Sequence, residues 1–250
     1  MLSEKMKNIL LCIFTLFTIV PVTAQEVVDN DLRTWLTLLN RLTINEKWSV
    51  TNEVHERTNQ FFSEQGQFLV RPSIDYHLTE NAEFSFGYSY IHMSPANDDI
   101  IQLDNYEHNV WEQLNFKFYV GKFEIQNRLR QEHRWVGNLS NNGSENLVDG
   151  TNYSNRFRFR LTISRDIYEF KNKKTRLFVN AFDELWINQN SRLLPTEFTR
   201  NWLYVGAGIT FDKNTKLQLG YMGQFEYISI NKYSSTPILL ATIIKNFKLR

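Results

Sequence analysis

The chain has 250 residues, of which 28 are basic and 27 acidic, for a formal net charge of +1. That balance argues against nucleic acid or a generally anionic surface as partner. Its single cysteine excludes a disulfide scaffold, and no run approaches the roughly 20 apolar residues of a membrane-spanning helix.

The first 24 residues read as an export signal. Lys5 and Lys7 are followed by an apolar run over 9–20 and a small-residue cleavage site at Val22-Thr23-Ala24, which places the cut before Gln25. Residues 1–24 are therefore the leader and 25–250 a single domain. Cys12 lies in the leader, so the exported part holds no cysteine and must be stable without disulfides.

After a polar start at 25–31, residues 32–42 have strand character, with Trp35 as an aromatic anchor. Residues 47–57 alternate Trp48, Val50 and Val54 with Ser49, Thr51, Glu53, His55 and Arg57. A polar loop at 58–66 precedes the strand 67–78, where Pro72 argues for an edge or a bulge. Strands follow at 83–93 and 106–119, separated by an acidic loop at 94–105.

The two most regular strands come next. In 122–135, Phe123, Ile125, Leu129, His133 and Trp135 share one parity; Glu124, Gln126, Arg128, Arg130, Glu132 and Arg134 share the other. In 155–164, Phe157, Phe159, Leu161 and Ile163 alternate with Arg156, Arg158, Arg160 and Thr162. A period of two puts successive side chains on opposite faces. One face is then apolar and the other carries a ladder of arginines, as a wall between lipid and a polar lumen requires.

The Asn-, Gly- and Ser-rich stretch 137–152 between them reads as the longest loop. Less regular strands complete the chain at 175–188, 198–211, 216–227 and 236–249. Short and long connections alternate, the asymmetry of outer-membrane barrels. With the C-terminus periplasmic, the outer loops are 58–66, 94–105, 137–152, 189–197 and 229–235.

The expected fold is all-β: one antiparallel up-and-down transmembrane β-barrel of about 10–12 strands. Eleven strand candidates are visible. Even numbers are the bacterial rule, so either an early segment lies outside the wall, giving ten, or residues 25–31 add a twelfth strand, the option favoured here. A soluble β-sandwich is the main alternative, but these strands are long for one.

The run Arg128-Leu-Arg-x-Glu-x-Arg134 resembles the domain-of-unknown-function 2490 family of bacterial outer-membrane proteins. Trp35, Trp48, Glu53, the Arg156–Arg160 strand and Glu184 share the resemblance, which extends over 25–250. It implies an outer-membrane barrel and no assigned activity. The chain departs from the usual aromatic ending by closing on Phe247-Lys248-Leu249-Arg250.

Three functions are open. In the first, Arg128, Arg130, Arg134, Arg156, Arg158 and Arg160 pair with Glu53, Asp75, Glu124, Glu132, Glu184 and Glu226 in a packed network, giving a closed structural or binding barrel. In the second, the ladder lines a narrow pore that prefers anions. The third is an outer-membrane hydrolase, but His55, His77, His92, His108 and His133 sit in no recognisable motif. His92, His108 and His133 share the apolar face. No metal or cofactor is expected; the expected partners are the bilayer and a small anionic solute or lipid, with the protein a monomer in the outer membrane.

Overall fold

The computed structural model describes residues 26–27, 31–95, 102–141, 146–172, 174–189, 197–212, 214–229 and 232–249. The expected leader lies outside them, as do much of the 94–105 and 189–197 connections. A two-residue strand, β1 (Glu26–Val27), precedes eleven wall strands. These are β2 (Arg33–Thr43), β3 (Trp48–Asn59), β4 (Glu64–His77), β5 (Ala82–Met93), β6 (Asn105–Val120), β7 (Phe123–Asn141), β8 (Asn146–Glu169), β9 (Arg176–Asn188), β10 (Glu197–Thr210), β11 (Thr215–Ser229) and β12 (Lys232–Lys248).

Each wall strand pairs antiparallel with the next, and β12 returns to β2 to close the barrel. That closing seam is parallel, running from Ile238 beside Arg33 to Lys248 beside Thr43. Neither ten nor twelve strands form the wall. An odd count leaves the first and last strands pointing the same way, and a parallel ladder still satisfies their backbone groups. Residues 26–27 add only a stub beside Lys232 and Tyr233.

One rim carries tight turns set by local chemistry. The Asn45 side-chain oxygen accepts hydrogen bonds from the backbone nitrogens of Lys47 and Trp48, both at 2.9 Å. Asn172 and Asp212 do the same for Lys174 and Thr175 and for Asn214 and Thr215. At the β6–β7 turn Gly121 adopts φ +60°, a conformation that a β-carbon disfavours. The opposite rim carries the two longest connections, from β5 to β6 and from β9 to β10.

Two sequence readings are corrected. Residues 137–152 are mostly strand: Leu139 pairs with Val148 and Ser140 with Leu147, so β7 and β8 continue as a hairpin beyond the barrel wall. Their polar composition suits a ribbon with solvent on both faces. Pro72 sits in the wall without a bulge. It pairs with Asn52 on one side, and on the other the β4–β5 ladder is interrupted between Val70–Tyr90 and Ser73–Gly87 with its register unchanged. The gap falls where proline has no N–H to offer.

The outward face is apolar and exposed, with Leu38, Ile74, Phe86, Leu203, Val205 and Leu219 among its members. The inward face has two sectors. Trp35, Phe182, Trp186, Trp202, Tyr204, Met222 and Ile238 form one apolar cluster on β2 and β9–β12. Trp35 therefore points into the lumen. Strands β3–β8 supply most of the charged sector, and Glu184 of β9 completes it.

Candidate functional site

The register explains how the arginines are held together. Arg128 lies opposite Arg160, and Arg130 opposite Arg158. Like charges facing one another across a ladder repel. Glu132 is opposite Arg156, and Glu184 follows on β9 opposite Arg160. These two carboxylates have no exposed surface. Glu184 accepts from Arg158 Nε at 2.8 Å, from Arg160 Nε at 2.9 Å and from Arg128. Glu132 accepts from Arg156 Nε at 2.6 Å and from Arg158 Nη1 at 2.8 Å. Arg158 thus bridges both carboxylates, and charges withdrawn from water gain the partners they need.

The other residues singled out from sequence lie around this centre. Arg134 makes a two-point contact to Glu107, at 2.7 and 2.6 Å. Arg130 donates from Nε to Gln113 at 2.7 Å and is 3.8 Å from Glu132. Glu53 accepts from Arg71 at 3.1 Å and contacts His55 at 3.0 Å. Three acids are removed from the ladder. Asp75 accepts from Thr51 at 2.5 Å and Ser73 at 3.0 Å, Glu226 pairs with Arg200, and Glu124 accepts from Tyr119 at 2.8 Å near the turn rim.

Sequence reading left out Arg41, Arg57, Arg71, Glu83, Glu107 and Arg200 as network members, although Arg57, Arg71, Glu107 and Arg200 lie on the polar parity. It also left out the aromatic plates. Arg158 lies over Trp186 at 3.7 Å, Arg57 over Trp35 at 3.9 Å, and Arg130 and Arg160 over Trp111 and Phe182, both at 4.1 Å. Trp35 and Trp202 meet edge to face at 5.1 Å, although their strands are not neighbours. Arg57 of β3 also reaches Trp202 of β10, at 5.8 Å. Side chains from separated strands therefore meet inside the lumen at this level.

The central group is not charge-balanced. Among the described residues, Arg57, Arg71, Arg128, Arg130, Arg134, Arg156, Arg158 and Arg160 face only Glu53, Glu107, Glu132 and Glu184. Arg57 makes its side-chain bond to neutral Gln67, at 2.9 Å.

Between this layer and the turn rim lie cavities of about 210 and 300 Å³. Gln126, Thr162, Asn180, Gln218 and Ile244 line both the larger one and a vestibule of about 360 Å³ at the rim.

The histidines divide. His108 contacts Tyr88 at 2.5 Å and His133 contacts Tyr153 at 2.9 Å, both on the outer face. His92 lies 3.2 Å from Asp104. His77 lies between Ser49 Oγ at 2.8 Å and Glu83 Oε2 at 3.2 Å, the order of groups in a hydrolytic triad. Ser49 has no exposed surface, however, and Arg41 ties Glu83 into an ion pair. A substrate carbonyl has no route to that oxygen in this arrangement. Among the described residues, no three His, Cys, Asp or Glu side chains gather as a metal ion would need.

A family profile described as "Protein of unknown function (DUF2490)" matches residues 32–234. The chain belongs to this family. The DUF2490 match runs from the first wall strand into the last, so the arginine strands and Glu184 lie within it. No curated protein matches the chain.

Proposed function

We propose that this DUF2490 protein is an outer-membrane β-barrel, exported by a leader over 1–24, monomeric in the bilayer, and closed at mid-height by its Arg/Glu/Trp layer. It serves as a structural or ligand-binding barrel rather than an open conduit. The observation that carries this reading is the pair Glu132 and Glu184, both without exposed surface, holding Arg128, Arg156, Arg158 and Arg160 between them.

Location is supported by the exposed apolar outer wall, which in water would be an unusually large apolar patch, and by the expected leader. Tyr88, Tyr90, Trp135 and Tyr153 lie on the outer face toward the long-loop rim, as interfacial aromatics do. Closure is supported by size: about eight strands are filled by side chains, whereas about 16 or more leave a channel. The surplus of arginine favours the second reading, a narrow anion-preferring pore.

Planar-bilayer recording from the purified protein decides between them. A folded barrel, verified by heat-modifiable gel mobility, is expected to show no discrete steps. Steady anion-selective steps that shrink in Arg158→Gln would establish the pore instead.

A further inference from the structure

The cavity of about 300 Å³ has walls of opposite character. Trp35, Phe182, Trp202, Met222 and Leu240 make one side apolar. Arg57, Arg71, Arg128, Arg158 and Arg160 make the other basic. Glu53 is the one carboxylate in the lining, and Arg71 and His55 already engage it.

Two of these arginines are incompletely matched by protein acceptors. The Nε–H groups of Arg57 and Arg128 are buried without an acceptor among the described residues. A buried guanidinium donor left unmatched is costly. Arg57 also has no carboxylate partner among the described contacts, only Gln67 and the face of Trp35. The approach carries the same sign: the vestibule holds Lys122, Arg165, Arg176 and Lys216 against Glu124 and Asp166.

We propose that this cavity binds a small organic anion, one with a carboxylate head on an aromatic or short aliphatic body. The head would lie on the basic wall that includes Arg57 and Arg128, where planar guanidinium groups suit a planar anion. The body would lie against Trp35, Trp202 and Met222. Its volume is at the small end of ligand pockets, so a bulky lipid is excluded by size and a bare inorganic ion would leave the apolar wall unused. The vestibule makes the turn rim the side of access. The inference deepens the closed-barrel reading by naming its ligand class, but the cavity does not depend on the barrel being silent.

Phenylacetate is the probe, titrated into the detergent-purified protein by calorimetry and by tryptophan fluorescence, since Trp35 and Trp202 line the cavity. Saturable binding is expected, weakened roughly tenfold or more by Arg57→Gln and by Arg128→Gln, as loss of a charged hydrogen bond implies. Phenylacetamide, of the same shape but neutral, and sulfate, charged but without an apolar body, are expected to bind at least as weakly as phenylacetate binds the variants. Arg57→Gln breaks no ion pair among the described residues, and heat-modifiable mobility verifies that the variant folds.

Absent saturation in folded protein, or affinity unchanged in both variants, would overturn the site. Equal binding of the amide or of sulfate would overturn the ligand class. Conductance with intact phenylacetate binding would remove the closed-barrel reading and leave this one standing, so the two failures are distinguishable.

Discussion

Trp111 occupies the space that a β-carbon on Gly87 would need: such an atom would lie 2.5 Å from the ring's Cε2 and closer still to Cζ2. The indole lies flat over the neighbouring strand, donates from Nε1 to Ser89 Oγ at 3.0 Å, and supports Arg130 on its face. Gly87→Ala is therefore expected to expel the ring and destabilise the barrel by about 1–3 kcal/mol, the usual range for overpacking. The unfolding midpoint in urea checks this. Gly223→Ala, whose added carbon would approach Phe225 only to 3.2 Å, is the milder comparison.

Removing the charge of Glu184 leaves Arg128, Arg158 and Arg160 facing one another without their common acceptor. Glu184→Gln is expected to cost about 3–5 kcal/mol, the range for breaking a buried ion pair. Adding Arg160→Gln should recover part of that loss by removing one uncompensated cation. A double-mutant cycle on unfolding midpoints gives the coupling, and strict additivity would show that the contact carries no energy.

The two indoles Trp35 and Trp202 meet across the lumen at 5.1 Å. Truncating both to alanine should open a path beside the arginine layer. Discrete conductance steps are expected from the double variant and none from the parent. Silence from both, with the variant demonstrably folded, would place the barrier elsewhere.

Ser49 has its hydroxyl 2.8 Å from His77 but no surface open to a substrate. A fluorophosphonate should leave it unlabelled, as read by intact mass. Labelling that disappears in His77→Gln would reveal a working nucleophile and revive the hydrolase.

How far the sequence could be read depends on the distance between interacting residues along the wall. Alternation in 122–135 and 155–164 identifies two-faced strands because parity is a property of one strand. It even separates Phe182, Glu184 and Trp186 from Leu177, Val179 and Leu185, with Asp183 left on the outer face, where Asn201 donates to it. Partner choice is another matter. Arg128 on β7 bonds Glu184 on β9, two strands away, because both extend into the same lumen; no spacing in one strand encodes that. The sequence does not assign Trp35 a face, because an aromatic at a strand's start suits either one. The 137–152 hairpin was missed because polar residues that favour loops also suit a ribbon with water on both sides.

The parallel seam between β2 and β12 has a consequence for which compartment each end of the wall meets. In a barrel with an even number of strands, the chain enters and leaves at the same rim. Here Leu32 lies at the long-loop rim, where its carbonyl accepts from Phe61, while Leu249 lies at the turn rim beside Thr43. In an outer membrane oriented in the usual way, a label attached just before Arg33 would be displayed to the outside of the cell and one attached after Leu249 to the periplasm.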